Sequence, residues 1–570
     1  MLHLEDVTYT IPVDGEEVDL LRDVGFTVSP GSFVAIVGPS GCGKTTLLKT
    51  IAGFQEQSSG DIVWKGRSLV NEEDFAPTEI GYVPQFSIAY DLLTVEESVL
   101  SAVQLRVKIS RSETTERTES ILKKTGLELL RDQRVGVLSG GQKRRLGLAM
   151  ELASNPELLL CDEVTSGLDA NAERDIVQLM HAISRDDNRI VLNVTHSFGG
   201  LEFYDSVLVI YEGLIVFHGP PEMLSHYFSV KSEGDVYERL EKRKALDWRQ
   251  SWIKHRDHYE DNNTENLNTT DAVRLESEAG APRLPGFVSQ MLLVFFRRLK
   301  LFTRDRGQVL LHLAILLGFP CLVVVFATSG VGQMPKSPLH PSDGSLFEAI
   351  DAERHVIAEQ FKIGGLISGI VMIQILLLTL MGSNNSSREI AAERLLFEKE
   401  KFAGLRPASY LFGKVLFLGL LVVSQSVWMS VFVDRFCDLP GPFFPKTTLL
   451  ILANGAMTGI CLGISSIMRT SEQASLMGIY FVGFQLPLSG AVLPLSGNLE
   501  KFSQPFVSAY WSWAGQLELM KDTDFWVGIQ RATSTEIVSQ SSLSVLALST
   551  HLVAGLIMAW FGLRRTQWDE

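Results

Sequence analysis

The chain is poor in cysteine: five in 570 residues, at Cys42, Cys161, Cys321, Cys437 and Cys461, with no Cys-x-x-Cys pair. An odd, dispersed set fits reduced or membrane-buried thiols better than a disulfide framework or a zinc site. A basic excess is also missing. Lys and Arg number 51 against 66 Asp and Glu, a net charge of −15. That argues against nucleic acid as a partner, because phosphate binding needs a basic face. The N-terminus, MLHLEDVTYTIPVDGEEVDL, has neither a basic nor an apolar leader segment. The expectation is therefore that no signal peptide is cleaved and that the front domain stays in the cytosol. No internal repeat is present.

Charge and apolar sequence are divided unevenly. At 570 residues the chain exceeds what one core organises. Residues 1–306 hold 34 basic and 47 acidic residues, whereas residues 307–570 hold 17 and 19. The mean hydropathy of +0.15 is high for a soluble protein, and the apolar sequence lies in the second half. Residues 1–228 alternate apolar strand-like runs with helix-like stretches, the pattern of an α/β domain. Ser32–Val37, Leu158–Cys161, Ile190–Val194 and Val207–Tyr211 read as buried strands. Residues 229–285 form a charged helical extension that ends in an Asn/Thr/Glu-rich linker. The Asn262 and Asn268 glycosylation patterns mean nothing on a cytosolic linker. Residues 286–306 place Met291, Leu292, Phe295, Leu299 and Phe302 at helical spacing beside a basic face, which reads as a connecting helix at the membrane surface.

Residues 307–570 are read as a membrane domain. Six runs approach the ~20 residues of a bilayer crossing: 308–328, 363–382, 410–433, 447–468, 474–494 and 544–563. The fifth is the weakest, broken by Pro487 and Pro494. Basic residues cluster before the first run, between the second and third, and after the sixth at Arg564 and Arg565. By the positive-inside rule both ends of the chain are cytosolic, which requires an even number of spans. Gln374, Gln425, Asn454 and Gln485 fall within spans and either line a path or form interhelical hydrogen bonds, the second reading carrying more weight.

The chemistry sits in the first domain. Residues 38–45 read GPSGCGKT, a GxxxxGK[ST] loop after a buried strand and before a helix. Its glycines let backbone N–H groups wrap phosphates at a helix N-terminus. Lys44 suits the β/γ-phosphates and the Thr45 hydroxyl suits Mg²⁺. Leu158–Glu163 is an apolar strand ending in two carboxylates, Asp162 to hold Mg²⁺ and Glu163 to polarise the attacking water. Leu138-Ser139-Gly140-Gly141-Gln142 arises by chance in on the order of one in a thousand chains of this length.

With that sequence the chain resembles an ATP-binding cassette (ABC) ATPase: phosphate loop, LSGGQ, then LLLCDE. The resemblance implies ATP and Mg²⁺ as cofactors. It makes Gly38, Pro39, Ser40, Gly41, Cys42, Gly43, Lys44, Thr45 and Thr46 the phosphate cradle, and Tyr9 the aromatic that stacks on adenine. Gln85 in GYVPQ matches the Q-loop, which adds a Mg²⁺ contact to Thr45 and Asp162. Asp169 in Ser166-Gly167-Leu168-Asp169 matches the D-loop, and His196 in NVTHS the switch histidine. Glu163, His196 and Gln85 are thereby the catalytic group, and Ser139, Gly140, Gly141 and Gln142 the signature that binds nucleotide. The fold implied is an α/β P-loop ATPase followed by an all-α polytopic membrane domain of six helices.

Domain order is that of the G-type (white/pigment-type) half-transporters, with the ATPase first. His218–Leu224 resembles that group's GP-x-E-x-L element, and Ser387–Ala408 its charged helix between spans two and three. Gln142 replaces the Glu common in eukaryotic members, so the wording is closest to bacterial fused ATPase–permeases, which implies a bacterial inner membrane. The segment 495–543 fits the group's extracellular element but lacks its usual cysteines. The resemblance implies a dimer, a homodimer being allowed because every consensus residue is present, with membrane lipid and a transported small molecule or lipid as further partners. ATP-driven export of an apolar or amphipathic cargo is the leading expectation. The alternative is a membrane-anchored ATPase that remodels a membrane complex without moving a solute. On the charged helix, Glu393, Phe397 and Glu400 share one face, expected to dock near Gln85.

Overall fold

The computed structural model describes residues 1–13, 15–69, 75–86, 88–186, 188–260, 284–325, 331–335, 346–491, 497–533, 537 and 540–565. The stretch read as a linker, with Asn262 and Asn268, lies outside the described residues from 261 to 283. The chain forms two compact units. The first is Met1–Gln290 with the short segment Lys399–Leu405, and the second is Met291–Glu398 with Arg406–Asp569.

Among the described residues the first unit holds ten strands: β1 (Leu2–Val13), β2 (Glu16–Val28), β3 (Phe33–Val37), β4 (Ser59–Trp64), β5 (Arg67–Ser68), β6 (Ile80–Val83), β7 (Leu158–Asp162), β8 (Ile190–Val194), β9 (Ser206–Tyr211) and β10 (Leu214–Gly219). Its helices are α1 (Lys44–Ile51), α2 (Val95–Arg106), α3 (Arg111–Lys124), α4 (Gly140–Glu151), α5 (Ala170–Asp186), α6 (Pro221–Phe228), α7 (Val236–Glu241) and α8 (Ala245–Glu260). An antiparallel sheet runs β2-β1-β4-β5, and a second sheet runs β10-β9-β3-β8-β7-β6. In the second sheet β3, β6, β7, β8 and β9 are parallel, and β10 turns back on β9. Every residue of β3, β7 and β8 is buried. That is what a parallel strand covered on both faces requires, and it explains why these strands read as continuous apolar runs. The four strands expected from sequence are β3, β7, β8 and β9. Strand β3 lies between β8 and β9, so the loop that follows it opens at the carboxyl edge of the sheet.

The second unit is helical: α9 (Phe287–Arg304), α10 (Arg306–Val324), α11 (Leu346–Ser386), α12 (Arg394–Phe402), α13 (Pro407–Cys437), α14 (Phe443–Ile467), α15 (Ser471–Leu488), α16 (Gly497–Ser503), α17 (Ser508–Glu518), α18 (Trp526–Ala532) and α19 (Ser541–Arg564). Among the described residues five helices are long and apolar enough to cross a membrane, drawn from the regions of α10, α11 with α12, α13, α14 and α19. The fifth expected run forms α15, but Glu472, Gln473 and Gln485 dilute its apolar character. The fold is an α/β ATPase domain followed by a helical membrane domain with five to six apolar helices.

Three of the polar residues noted within spans, Gln425, Asn454 and Gln485, make hydrogen bonds between helices. Asn385 Nδ2 donates to Gln425 Oε1 at 2.9 Å, and Asn454 Nδ2 donates to Ser426 Oγ at 3.2 Å. Gln485 Oε1 accepts from the Ser508 hydroxyl at 3.1 Å and from the Ala509 backbone at 3.0 Å, tying α15 to the start of α17. The basic cluster on α9 is not simply a solvated face. Arg297 is buried, and Arg298 forks onto Glu389 at 2.5 and 2.9 Å. Glu389 also accepts from Lys414 at 2.9 Å.

Helices α14 and α19 meet backbone to backbone. A Cβ added at Gly555 falls 2.3 Å from the Gly459 carbonyl carbon, and one at Gly562 falls 2.1 Å from Ser466 Oγ. Small residues permit this approach, which is the usual way apolar helices associate in lipid. Gly555→Val must therefore prise the pair apart, at a cost of at least about 1–3 kcal/mol. A thermal melt of the detergent-solubilised protein is expected to shift down by several degrees. An unchanged melt contradicts the close contact.

Candidate nucleotide site

The loop after β3 is built around its glycines. Gly41 has φ +77° and Gly43 has φ +104°, in the left-handed region that a side chain disfavours. A Cβ at Gly38 falls 2.2 Å from the Ile210 carbonyl oxygen, and one at Gly43 falls 2.7 Å from that of Leu20. The loop is thus pinned between β9 and β2, with Ser40 and Gly41 exposed at its crest. Lys44 is buried at the start of α1, and its Nζ donates to the Gly38 and Pro39 carbonyls at 2.9 and 2.8 Å. Tyr9 is half-buried on β1, in register with Leu21, whose side chain flanks Gly43.

The carboxyl end of β7 carries the acidic pair into this loop. Asp162 is buried; its Oδ1 accepts from Thr45 at 3.0 Å and its Oδ2 accepts from Tyr82 at 3.0 Å. Burial pushes its carboxyl above the usual carboxylate range and the neighbouring Glu163 adds to this, while the Thr45 and Tyr82 hydroxyls oppose it. Glu163 follows with φ +47°, outside the strand conformation. Its Oε2 accepts from Gln85 Nε2 at 2.9 Å, and its Oε1 lies 2.6 Å from His196 Nε2. Three loops, following β6, β7 and β8, therefore converge on one carboxylate.

These donors suit Mg²⁺. The Asp162 carboxylate and the Thr45 hydroxyl are hard oxygen ligands within hydrogen-bond reach of each other. A buried acid with a raised pKa is also relieved by a cation. Mg²⁺ binds through one or two protein oxygens and substrate phosphates, not an all-protein cage.

The signature forms a separate patch. Ser139 caps α4: its Oγ accepts from the Gln142 backbone at 3.4 Å, while Gln142 Oε1 accepts from the Ser139 backbone at 2.9 Å. This reciprocal capping box leaves Ser139 and Gly140 exposed at a helix N-terminus. Asp169 caps α5, its Oδ1 accepting from the Asn171 and Ala172 backbones at 3.1 and 3.0 Å. Gly140 packs toward Leu168 and Gly141 toward Ala172, so signature and D-loop lie side by side. Among the described residues no hydrogen bond or ion pair joins Ser139–Gln142 to Lys44. The patch faces outward.

Some contributors gave no signal in the sequence. Tyr82 holds Asp162 from β6, and Tyr237 on α7 donates to the His196 carbonyl at 3.4 Å. Glu151 at the end of α4 is buried between Arg106 at 2.9 Å and Lys399 at 3.0 Å. The face expected to dock near Gln85 is divided between the two units, Glu393 and Phe397 in the second and Glu400 in the first. Glu393 pairs with Lys414 at 2.6 Å and the Phe397 ring lies tilted against Tyr410, centroids 4.5 Å apart, all within the second unit. Lys399 and Phe402 instead group with the first, where Phe402 packs on Phe54.

A P-loop nucleotide site on a parallel sheet, followed by a bundle of membrane-length helices, defines a membrane-associated P-loop ATPase. Comparison narrows this. The ABC transporter family matches residues 21–166, and the ABC-2 type transporter family matches residues 289–513. A Staphylococcus haemolyticus protein named for hemin import, HrtA, is 32% identical over 38% of this chain and 98% of its own. The chain belongs to the ABC transporter family, joining an ABC ATPase to an ABC-2 (G-type) membrane domain. A Mycobacterium tuberculosis ABC transporter ATP-binding/permease protein is 28% identical over 90% of this chain. ABC transporter G family member 4 of Arabidopsis thaliana is 36% identical over 37% of it. This chain spans 57% and 37% of those two relatives' lengths. A solved dimeric bacterial ABC transporter cassette is 29% identical, covering 39% of this chain and 98% of its own, with a TM-score of 0.36.

The Tyr82 hydroxyl helps keep Asp162 charged. Tyr82→Phe removes that donor, raises the carboxyl pKa further and leaves one buried oxygen unsatisfied, at a cost of about 1–3 kcal/mol. The acid limb of the Mg·ATP affinity profile is expected to move to higher pH. An unmoved limb removes Tyr82 from this role.

Proposed function

We propose that this chain is the half-transporter of an ATP-driven exporter that acts as a homodimer, with Glu163 as general base. The observation that carries the reading is the Glu163 carboxylate, held between Gln85 and His196 at the mouth of the phosphate loop. A carboxylate with two polar guides and one remaining open side is equipped to orient water and take its proton. Lys44 and the loop amides hold the β- and γ-phosphates. Thr45, Asp162 and Gln85 would hold Mg²⁺, which when bound would supply positive charge beside the phosphates. Gln85 orients the water through Glu163, and His196 stabilises the γ-phosphate as it leaves. Tyr9 stacks on the adenine.

The exposed N-terminus of α4 supplies what the chain's own loop lacks, a set of donors on the far side of the γ-phosphate. In this reading Ser139, Gly140, Gly141 and Gln142 of one copy close over ATP held by another, with Asp169 at the junction. Both cassettes lie on the cytosolic side of one bacterial inner membrane, so two copies are related by an axis along the membrane normal. The presence of an ABC-2 type transporter domain in the same chain favours transport over a purely remodelling ATPase. The absence of charged residues at mid-span favours an apolar or amphipathic cargo.

Ser139→Arg and Lys44→Ala each disable both sites of a homodimer. Mixed dimers of the two variants rebuild one intact site in trans and lose the other. The mixture is expected to recover up to about half of the wild-type ATPase per mixed dimer. Recovery no greater than either variant alone rejects the trans arrangement.

A further inference from the structure

Helix α11 is longer than its membrane task requires. Leu346–Ser386 spans 41 residues, about 60 Å at 1.5 Å per residue. The hydrocarbon core is about 30 Å thick, and the apolar run begins only near residue 363. The helix before it carries Asp351, Glu353, Arg354, His355, Glu359 and Lys362. It therefore emerges from the apolar layer for about four turns.

That emergent part carries an uncovered apolar stripe. Phe347, Ile350, Ile357 and Phe361 are 84%, 43%, 40% and 55% exposed. With Arg354 they fall at spacings of three, four, three and four, the a/d alternation of a parallel coiled coil. The chain's own packing takes the neighbouring face and the membrane-side end of the stripe. Gln360 is buried and donates to the Pro335 carbonyl at 2.8 Å, and Gly364 is pressed against the Gly528 backbone. Gln360 stands about a quarter of a turn from the stripe, and Gly364, seven residues after Ile357, marks where the stripe ends under the chain's own packing.

We propose that this stripe pairs with the same stripe of a second copy, forming a short parallel two-helix seam at the non-cytosolic end of α11. The proposal rests on the two-copy reading above. An axis along the membrane normal brings identical helices together parallel and in register, which is the geometry that a/d spacing fits. Charge supports the same occupant. Arg354 occupies a seam position and Glu353 the flanking g position, and no ion pair of either is present among the described residues. Across a parallel seam, Arg354 of one copy meets Glu353 of the other. A seam of only about two heptads is too short to hold free peptides together. It suffices here because the spans hold the two helices at high effective concentration.

The test uses the full-length protein in its membrane, in a Cys321→Ser background, since Cys321 is the exposed native thiol and the other four are buried. Ile350→Cys and Ile357→Cys are expected to yield disulfide-linked dimers on mild oxidation. Ala352→Cys, exposed on the opposite side of the helix, is expected to yield none. Arg354→Glu is expected to abolish the Ile357→Cys cross-link, and adding Glu353→Arg to restore it. Equal cross-linking at all three positions, or none at the two seam positions, overturns the seam. The mass of the detergent-solubilised complex separates the two readings. A dimer that does not cross-link at the seam overturns the seam alone, whereas a monomer overturns the two-copy reading as well.

Discussion

The arrangement depends on one carboxylate held in place by two neighbours. Glu163 leaves β7 in a left-handed backbone conformation and lies between Gln85 and His196. A non-glycine residue in that region persists only where the surroundings over-determine it. Here the surroundings are three adjacent parallel strands whose ends cannot move separately, because every residue of β7 and β8 is buried. The sheet thus converts apolar packing into placement of polar atoms. Asp162, one residue earlier, is held by Thr45 and Tyr82 in the same way, so the proposed metal ligand and base have fixed separation.

Most of this site was legible because its chemistry needs residue types that are rare in combination. Glycines at 38, 41 and 43 are required by close backbone approach and positive φ, and the structure uses each of them so. The strand before the loop, the strand before Asp162 and the strand before His196 were legible because buried parallel strands read as unbroken apolar runs. Tyr82 was not, since a tyrosine on a buried strand looks like any other core residue until its hydroxyl is seen on Asp162. Glu151 and Lys399 were invisible for a different reason. They are far apart in sequence, and only the fold brings a buried acid to a distant base.

The membrane unit was legible as composition and less so as packing. Long apolar runs marked the helices, and the weakest run duly became the helix whose polar residues leave it below the apolarity of the other five. Its Gln485, one of the polar residues noted within spans, binds the start of α17. The charged segment between spans two and three was legible as a helix, but the partners of its face were not. Helical spacing groups Glu393 with Phe397 and Glu400, and spacing alone does not say which partner a face meets. Glu393 meets Lys414 and Phe397 meets Tyr410, both on α13, whereas Glu400 groups with the first unit.

The central claim is that Glu163 takes the proton from the attacking water. The direct measurement is Mg·ATP binding and phosphate release on purified Glu163→Gln protein, made side by side with wild type. Glutamine keeps the shape and the contact with Gln85 but cannot accept a proton. The account predicts affinity within a few-fold of wild type and phosphate release reduced by about 10²–10⁴-fold. Phosphate release near the wild-type rate, with the protein folded and ATP bound, contradicts it.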